Sequence, residues 1–338
     1  MARTWPGMAV LRFPAPAPRL PGRFAMELAF LILPMFAVVL AGWALAATGI
    51  LSARVGEGLS EYVFAVAVPA LIIQTLAQPG DGTTVHVGYW IAYFGGCAIV
   101  WAMLAGLLGR RQRPDEHQDK RSAVIVGFAS SQSNTVFFGV PIILAVYGDA
   151  GKVPLFLLLA VHLPIMMTAA TVLIERGDGG SLGRRLLEVA RRLARNPIVL
   201  ALAVGGVLRL THITLGGVAA TLVKAFGDTA STCALFSLGV SMHQYRLRDG
   251  LGAAAAISVG KLVLHPLFVW LIAFHVFDMP PAYAGVATLF AAMPVGINSY
   301  LLALRYRTGE AAVSSAVVLS TIVSIFTIAA WIKWLDVV

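Results

Sequence analysis

Apolar windows of roughly 17 to 25 residues, the length that crosses ~30 Å of hydrocarbon as helix, recur along this whole chain. Ten can be drawn, at about Glu27 to Thr48, Ser60 to Ala77, Val87 to Leu108, Ser122 to Tyr147, Val153 to Ile174, Pro197 to Leu210, Gly217 to Met242, Leu251 to Phe277, Pro281 to Leu304 and Ala311 to Leu335. Such a chain is expected to fold as an all-α integral membrane protein, because a helix satisfies its own backbone polar groups where water is missing. Composition agrees. With 59% hydrophobic and 12% charged residues there is too little charge to cover a water-soluble surface.

Two of these windows are broken by polar residues. Ala129 to Gly148 carries Ser130, Ser131, Gln132, Ser133, Asn134, Gly139 and Pro141, and Ala291 to Leu304 carries Pro294, Gly296, Asn298, Ser299 and Tyr300. Hydrocarbon tolerates a broken helix only where the freed backbone lines a cavity or packs in protein. Pro141 crowds the carbonyl of Phe137 and opens the helix beside Asn134, while Pro294 frees the carbonyl of Phe290 and Gly296 permits close backbone approach. If the two breaks cross, half-helix N-termini, each about half a positive charge, aim at one midplane point and leave Asn134 and Asn298 to orient a carboxylate. A single membrane proline is an ordinary kink. Paired breaks with polar neighbours, in matching positions of two halves, point instead to a transport site for an anion.

Lys and Arg are retained on the cytoplasmic side, and the loops alternate sharply. One side holds Arg54, the run Arg110, Arg111, Arg113, Lys120 and Arg121, the run Arg176, Arg184, Arg185, Arg191, Arg192 and Arg195, and the pairs Arg246 with Arg248 and Arg305 with Arg307. The opposite loops hold Lys152 and Arg209. Both termini are therefore expected outside a cell inner membrane. Residues 1–25, with Arg3, Arg12, Arg19 and Arg23, break the pattern and are read as a disordered leader or a mis-assigned start ahead of Met26. The basic linker 176–196 then separates 26–175 from 197–338, five spans on each side. An odd number inverts the second copy, giving two inverted five-helix repeats with broken, crossing helices four and nine. Within the linker, Leu182 to Arg195 reads equally as a helix on the headgroups or a solvated charge run. The net charge of +9 is mostly topology, and no basic soluble domain suggests a nucleic-acid partner.

The runs GFASSQSNTVFFGVPIILAVYGDAG, KLVLHPLFVW, AAMPVGINSYLLALRY and STIVSIF resemble the auxin efflux carrier family in its short bacterial branch, over essentially Met26 to Val338. The resemblance implies a carrier of organic anions with a bile-acid-symporter-like fold. It implies a scaffold of spans one, two, six and seven, a mobile transport domain from the rest, an elevator-type mechanism, and a homodimer through spans two and seven. Family members carry auxin-type monocarboxylates in plants and malonate or malate in some bacteria. This chain lacks the long hydrophilic central loop of plant members. Thr232 and Cys233 stand where a proline is expected before ALFSLG in span seven, which leaves that helix's kink open.

Ionisable residues inside spans cost a few kcal/mol unless paired or facing water. Lys261 lies mid-span in the eighth window, four residues before His265. Two readings fit it: balancing an anionic substrate or standing in for a coupling cation, or neutralising the carbonyls of the broken helices for structure. His265 reads as a packed, hydrogen-bonded histidine rather than a proton relay. Gln74, on span two with Pro69, is a candidate scaffold contact to the substrate. Lys224 and Asp228 read as a local ion pair without a role. The substrate set is thus Gln132, Ser133, Asn134, Gly139, Pro141, Pro294, Gly296, Asn298, Ser299, Tyr300 and Gln74, with Lys261 and His265 balancing charge.

No carboxylate lies mid-span, which disfavours proton coupling through Asp or Glu. Sodium coupling through oxygens of Gln132, Ser133, Asn134, Asn298 and Ser299 stays open, while potential-driven uniport needs the fewest residues. There is no HExxH, GxSxG, Walker loop or metal-spaced Cys/His cluster, so no enzyme, cofactor or metal site is expected. Cys97 and Cys233 behave as small hydrophobes, and GWALAATG as helix-packing surface. From another class, a non-transporting receptor is expected to carry a soluble domain, and no loop here exceeds about 22 residues. An amide with helix dipoles recognises a carboxylate without reading its tail, so the particular acid is open.

Overall fold

The computed structural model describes residues 21–77, 86–109, 116–175, 187, 190, 191, 193–245 and 250–337. Among them every regular element is a helix, apart from one isolated bridge between two residues. In chain order these are α1 (Pro21–Ala47), α2 (Ala53–Leu76), α3 (Val87–Gly109), α4 (Glu116–Ser131), α5 (Thr135–Ile174), α6 (Pro197–Leu210), α7 (Gly217–Asp228), α8 (Ala230–Met242), α9 (Leu251–Val276), α10 (Pro281–Ala292), α11 (Ile297–Tyr306) and α12 (Glu310–Trp334). Five of the described helices, α2, α3, α5, α9 and α12, are long and apolar enough to cross a membrane, and Ile32–Ala47, α6 and α10 are shorter apolar helices. The chain is a multi-pass membrane protein.

Helix α1 is described from Pro21, ahead of the expected Glu27. Residues 1–20, most of the linker 176–196, and Arg110, Arg111, Arg113, Arg246 and Arg248 lie outside the described residues.

Prolines shape the long helices. The wide turns Val63–Ala67, Thr135–Gly139 and Gly260–Leu264 each end two residues before a proline, at Pro69, Pro141 and Pro266. A proline lacks the N–H that would bond four residues back and its ring crowds that carbonyl, so the preceding turn opens to i→i+5 spacing. The 40-residue α5 is divided at Gly148, whose φ of 52° and ψ of −133° only glycine adopts cheaply. The expected span at Gly217 to Met242 is two helices, α7 and α8, meeting at Thr229. There the Thr229 hydroxyl lies 2.8 Å from the Tyr62 hydroxyl and donates to the Phe226 carbonyl at 2.6 Å. That break needs no proline, which closes the question left by Thr232 and Cys233.

The helices sort into two packed groups. Helices α1, α2, α6, α7 and α8 pack mainly on one another; α3, α4, α5 and α9 to α12 do the same, with thinner contact between the groups. Small residues set the approach. A Cβ on Gly42, within GWALAATG, would fall 2.4 Å from the Phe236 carbonyl oxygen, and one on Gly239 would fall 2.0 Å from that of Val39. In the other group Gly127 lies against Trp101 and Gly96 against Val269.

Candidate functional site

Helix α4 stops at Ser131 and α5 begins at Thr135, while α10 stops at Ala292 and α11 begins at Ile297. The linking residues are extended and run antiparallel to each other, with Ser133 bridged to Val295. The Asn134 N–H donates to the Pro294 carbonyl at 2.9 Å, and the Gly296 N–H donates to the Gln132 carbonyl at 3.1 Å. The Val295 N–H donates to Ser320 Oγ on α12 at 3.0 Å. Backbone groups left unpaired in each break are thus satisfied by the other, as a dry environment requires.

Side chains lock the crossing. Gln132 Oε1 accepts from the Ser299 hydroxyl at 3.3 Å, and its Nε2 donates to the Ser133 carbonyl at 3.1 Å. Gly296 is obligatory in this packing, since a Cβ there would lie 1.8 Å from Gln132 Oε1. Gln132 and Ser299 thus hold each other across the crossing, and Gln132 also borders the pocket.

That pocket lies between the two helix groups. Gln132, Ser133, Asn134, Thr135, Gly296 and Asn298 form its polar side, and Phe64, Val136, Phe137, Leu159, Leu163, Ile198 and Ile297 its apolar side, with Asn196 at the start of α6. None of these lining residues carries a charge. Its positive character comes from the α5 and α11 N-termini, whose first N–H groups have no partner within the helix. Asn134 is 4% exposed, and its Nδ2 is a buried donor without a hydrogen-bond partner. Such a donor lacks an acceptor oxygen.

Of the expected site residues, the structure brings Gln132, Ser133, Asn134, Gly296 and Asn298 to the pocket wall. Pro294 and Ser299 support the crossing from behind it. Gly139 faces Met293 of the second break at 3.7 Å for a Cβ. Pro141, buried in α5, Tyr300, whose ring packs edge-on against Tyr245 at 5.2 Å, and Gln74 are not among the lining residues. Gln74 is turned into the α2–α7 contact, where a Cβ on Gly227 would meet its Oε1 at 2.8 Å.

Lys261 and His265 lie behind the crossing, both fully buried. Lys261 Nζ donates to the Ala291 carbonyl, in the last turn of α10, and to His265 Nδ1 at 3.0 Å. This leaves the His265 proton on Nε2, 3.1 Å from Cys97 Sγ, and Cys97 in turn donates to the Ser131 carbonyl at 3.9 Å. One lysine thus serves the C-terminal ends of both broken helices, directly on α10 and through two side chains on α4.

Sequence reasoning passes over His162, Tyr93 and Asn196. His162 is fully buried, its Nδ1 lies 3.1 Å from the Tyr93 hydroxyl, and that hydroxyl lies 3.5 Å from Ser133 Oγ. An ionisable residue inside an apolar window was the available signal for His162. For Asn196 it was Asn followed by Pro at a helix start. Among the described residues no three of His, Cys, Asp and Glu group as metal ligands.

The family described as "Membrane transport protein" matches residues 28–332. A protein of Rhizobium meliloti named "Putative malonate transporter" is 24% identical over 309 residues, covering 89% of this chain and 94% of its own length. An "Uncharacterized transporter" of Methanothermobacter thermautotrophicus is 24% identical over 311 residues, covering 89% and 96%. These matches run through both helix breaks and nearly the whole chain. The chain belongs to this auxin efflux carrier-like family of membrane transport proteins.

Proposed function

We propose that the protein is a secondary carrier of organic anions, binding a carboxylate at the crossing of its two helix breaks. The observation that carries this reading is the partnerless Asn134 Nδ2, buried in a pocket toward which two helix N-termini point. The name of the Rhizobium relative is in keeping with a carboxylate substrate.

The ten spans form two inverted five-helix repeats, 26–175 and 197–338, in the inner membrane with both termini outside. The fourth span of the first half is α4 with the first part of α5, and its counterpart is α10 with α11. Helices α1, α2, α6, α7 and α8 act as scaffold and the other group moves across the membrane as an elevator; the sorting of the helices into two packed groups with the pocket between them supports this. A homodimer through spans two and seven fits the same reading. Transport is potential-driven uniport, which needs the fewest residues.

The test is counterflow in proteoliposomes preloaded with unlabelled malonate, malate or indole acetate, with and without Na⁺ and a pH gradient. Ion-independent counterflow of one acid is the expected result. Strict dependence on Na⁺ would replace uniport by sodium symport, and no counterflow of any acid by folded protein would overturn the carrier reading.

A further inference from the structure

Ser130 and Ser131 end α4 with their hydroxyls turned back on it: Ser130 Oγ donates to the Val126 carbonyl at 2.8 Å and Ser131 Oγ to that of Gly127 at 3.0 Å. Ser133 stands in the extended link beyond, where no helical carbonyl lies one turn behind, and its hydroxyl meets α3 instead. Ser133 Oγ lies 3.5 Å from the Tyr93 hydroxyl, and that hydroxyl lies 3.1 Å from His162 Nδ1 on α5. Ser133 also lines the pocket, beside Asn134.

Tyr93 and His162 are fully buried and are not among the lining residues. The Tyr93 ring is clamped edge-on against His162 at 5.5 Å and Phe290 at 5.3 Å, and tilted against His265 at 5.5 Å. Both residues belong to the helix group that carries the crossing, so they stay with Ser133 wherever that group goes. A hydroxyl has one proton, so the three groups are bonded in one direction. Where His162 Nδ1 donates, Tyr93 donates on to Ser133, and the Ser133 proton is left for the pocket. Where Nδ1 accepts, Ser133 gives its proton to Tyr93 and shows the pocket lone pairs. Only the first direction serves a carboxylate, which accepts and cannot donate. His162 Nε2 is buried without a partner, which suits the bare nitrogen of that tautomer better than an orphaned N–H.

We propose that Tyr93 and His162 are positioning residues for substrate binding, acting through Ser133 by turning its hydroxyl proton toward the pocket beside the Asn134 amide. This rests on the carboxylate-carrier reading.

The experiment uses the full chain in proteoliposomes and follows counterflow of labelled malonate, malate or indole acetate, whichever the wild type exchanges. Tyr93→Phe keeps the clamped ring and so keeps the fold, checked by thermal melting. Ser133→Ala and Tyr93→Phe are each expected to raise the half-saturating concentration about 10-fold while the saturated rate moves less than ~2-fold. Tyr93→Phe added to Ser133→Ala is expected to cost nothing further, because Tyr93 acts only through that hydroxyl. His162→Leu should match Tyr93→Phe, and His162→Asn, whose amide reaches the Nδ1 position, should bind within ~3-fold of wild type. Losses that add in the double variant, or wild-type half-saturation by Tyr93→Phe, overturn the assignment. Wild-type protein that exchanges none of the three acids overturns the carboxylate reading itself, and the assignment with it.

Discussion

The backbone N–H of Asn134 donates to the carbonyl of Pro294 at 2.9 Å, so the residue that presents the pocket's free donor is held by the proline that broke the other helix. Position comes from main chain and recognition from side chain. Asn134→Ala is therefore expected to keep the fold and lose the substrate. Removing one hydrogen bond to a charged oxygen costs about 1.5–3 kcal/mol, or roughly a 10- to 100-fold fall in counterflow at low substrate. Asn298→Ala is expected to act likewise. Wild-type-like transport by both variants, measured in proteoliposomes, would sink the crossing as the binding site.

Gly296 and Gln132 test the packing of the crossing. A Cβ at Gly296 would overlap Gln132 Oε1, and the amide cannot swing away without releasing Ser299 and the Ser133 carbonyl. Gly296→Ala is expected to lower stability by about 1–3 kcal/mol and to abolish counterflow. Shortening the partner makes room, so the Gly296→Ala, Gln132→Ala pair should be less damaged than the sum of the single variants. Additive losses in a double-mutant cycle by thermal unfolding would show that the two do not meet.

Lys261 is expected to matter for stability. Lys261→Met keeps length and removes the donor, leaving the Ala291 carbonyl and His265 Nδ1 buried without it. That costs about 1–3 kcal/mol, more if the C-terminal ends of α4 and α10 separate. The melting temperature in detergent should fall by several degrees, and an unchanged melt would remove Lys261 from the framework of the crossing.

Orientation is open to a labelling experiment. Lys152 is expected outside the cell and Arg195 inside. In a cysteine-free background, Lys152→Cys should react with an impermeant maleimide on intact cells and Arg195→Cys only after permeabilisation. The reverse pattern would invert the topology.

How much of this was legible in the sequence depended on whether a residue's role is local. Pro141 and Pro294 announce their breaks because a proline's effect falls on its own preceding turn, and Asn134 is conspicuous as an amide inside an apolar window. Antiparallel pairing of Ser133 with Val295 follows once both breaks are placed at one depth. The partner of Lys261 was hidden: the Ala291 carbonyl is a backbone group 30 residues away, which no side-chain pattern marks. Gln74 is polar and mid-span, the same signal as Asn134; it lies against Gly227 of α7, and its buried Oε1 has no hydrogen-bond partner. Phe64, Leu159 and Leu163 line the pocket with the same chemistry as packing residues, so sequence could not separate them. The break at Thr229 has no proline to announce it, only Gly227 two residues ahead, and its partner Tyr62 lies far away in sequence.

Gly42 and Gly239 bring α1 and α8 together backbone against backbone. Side chains that interdigitate can hop between rotamers and let two helices slide; where backbone meets backbone, as at these two glycines, there are no such intermediate positions. On the elevator reading, movement falls at the thinner contact between the helix groups, where the pocket lies.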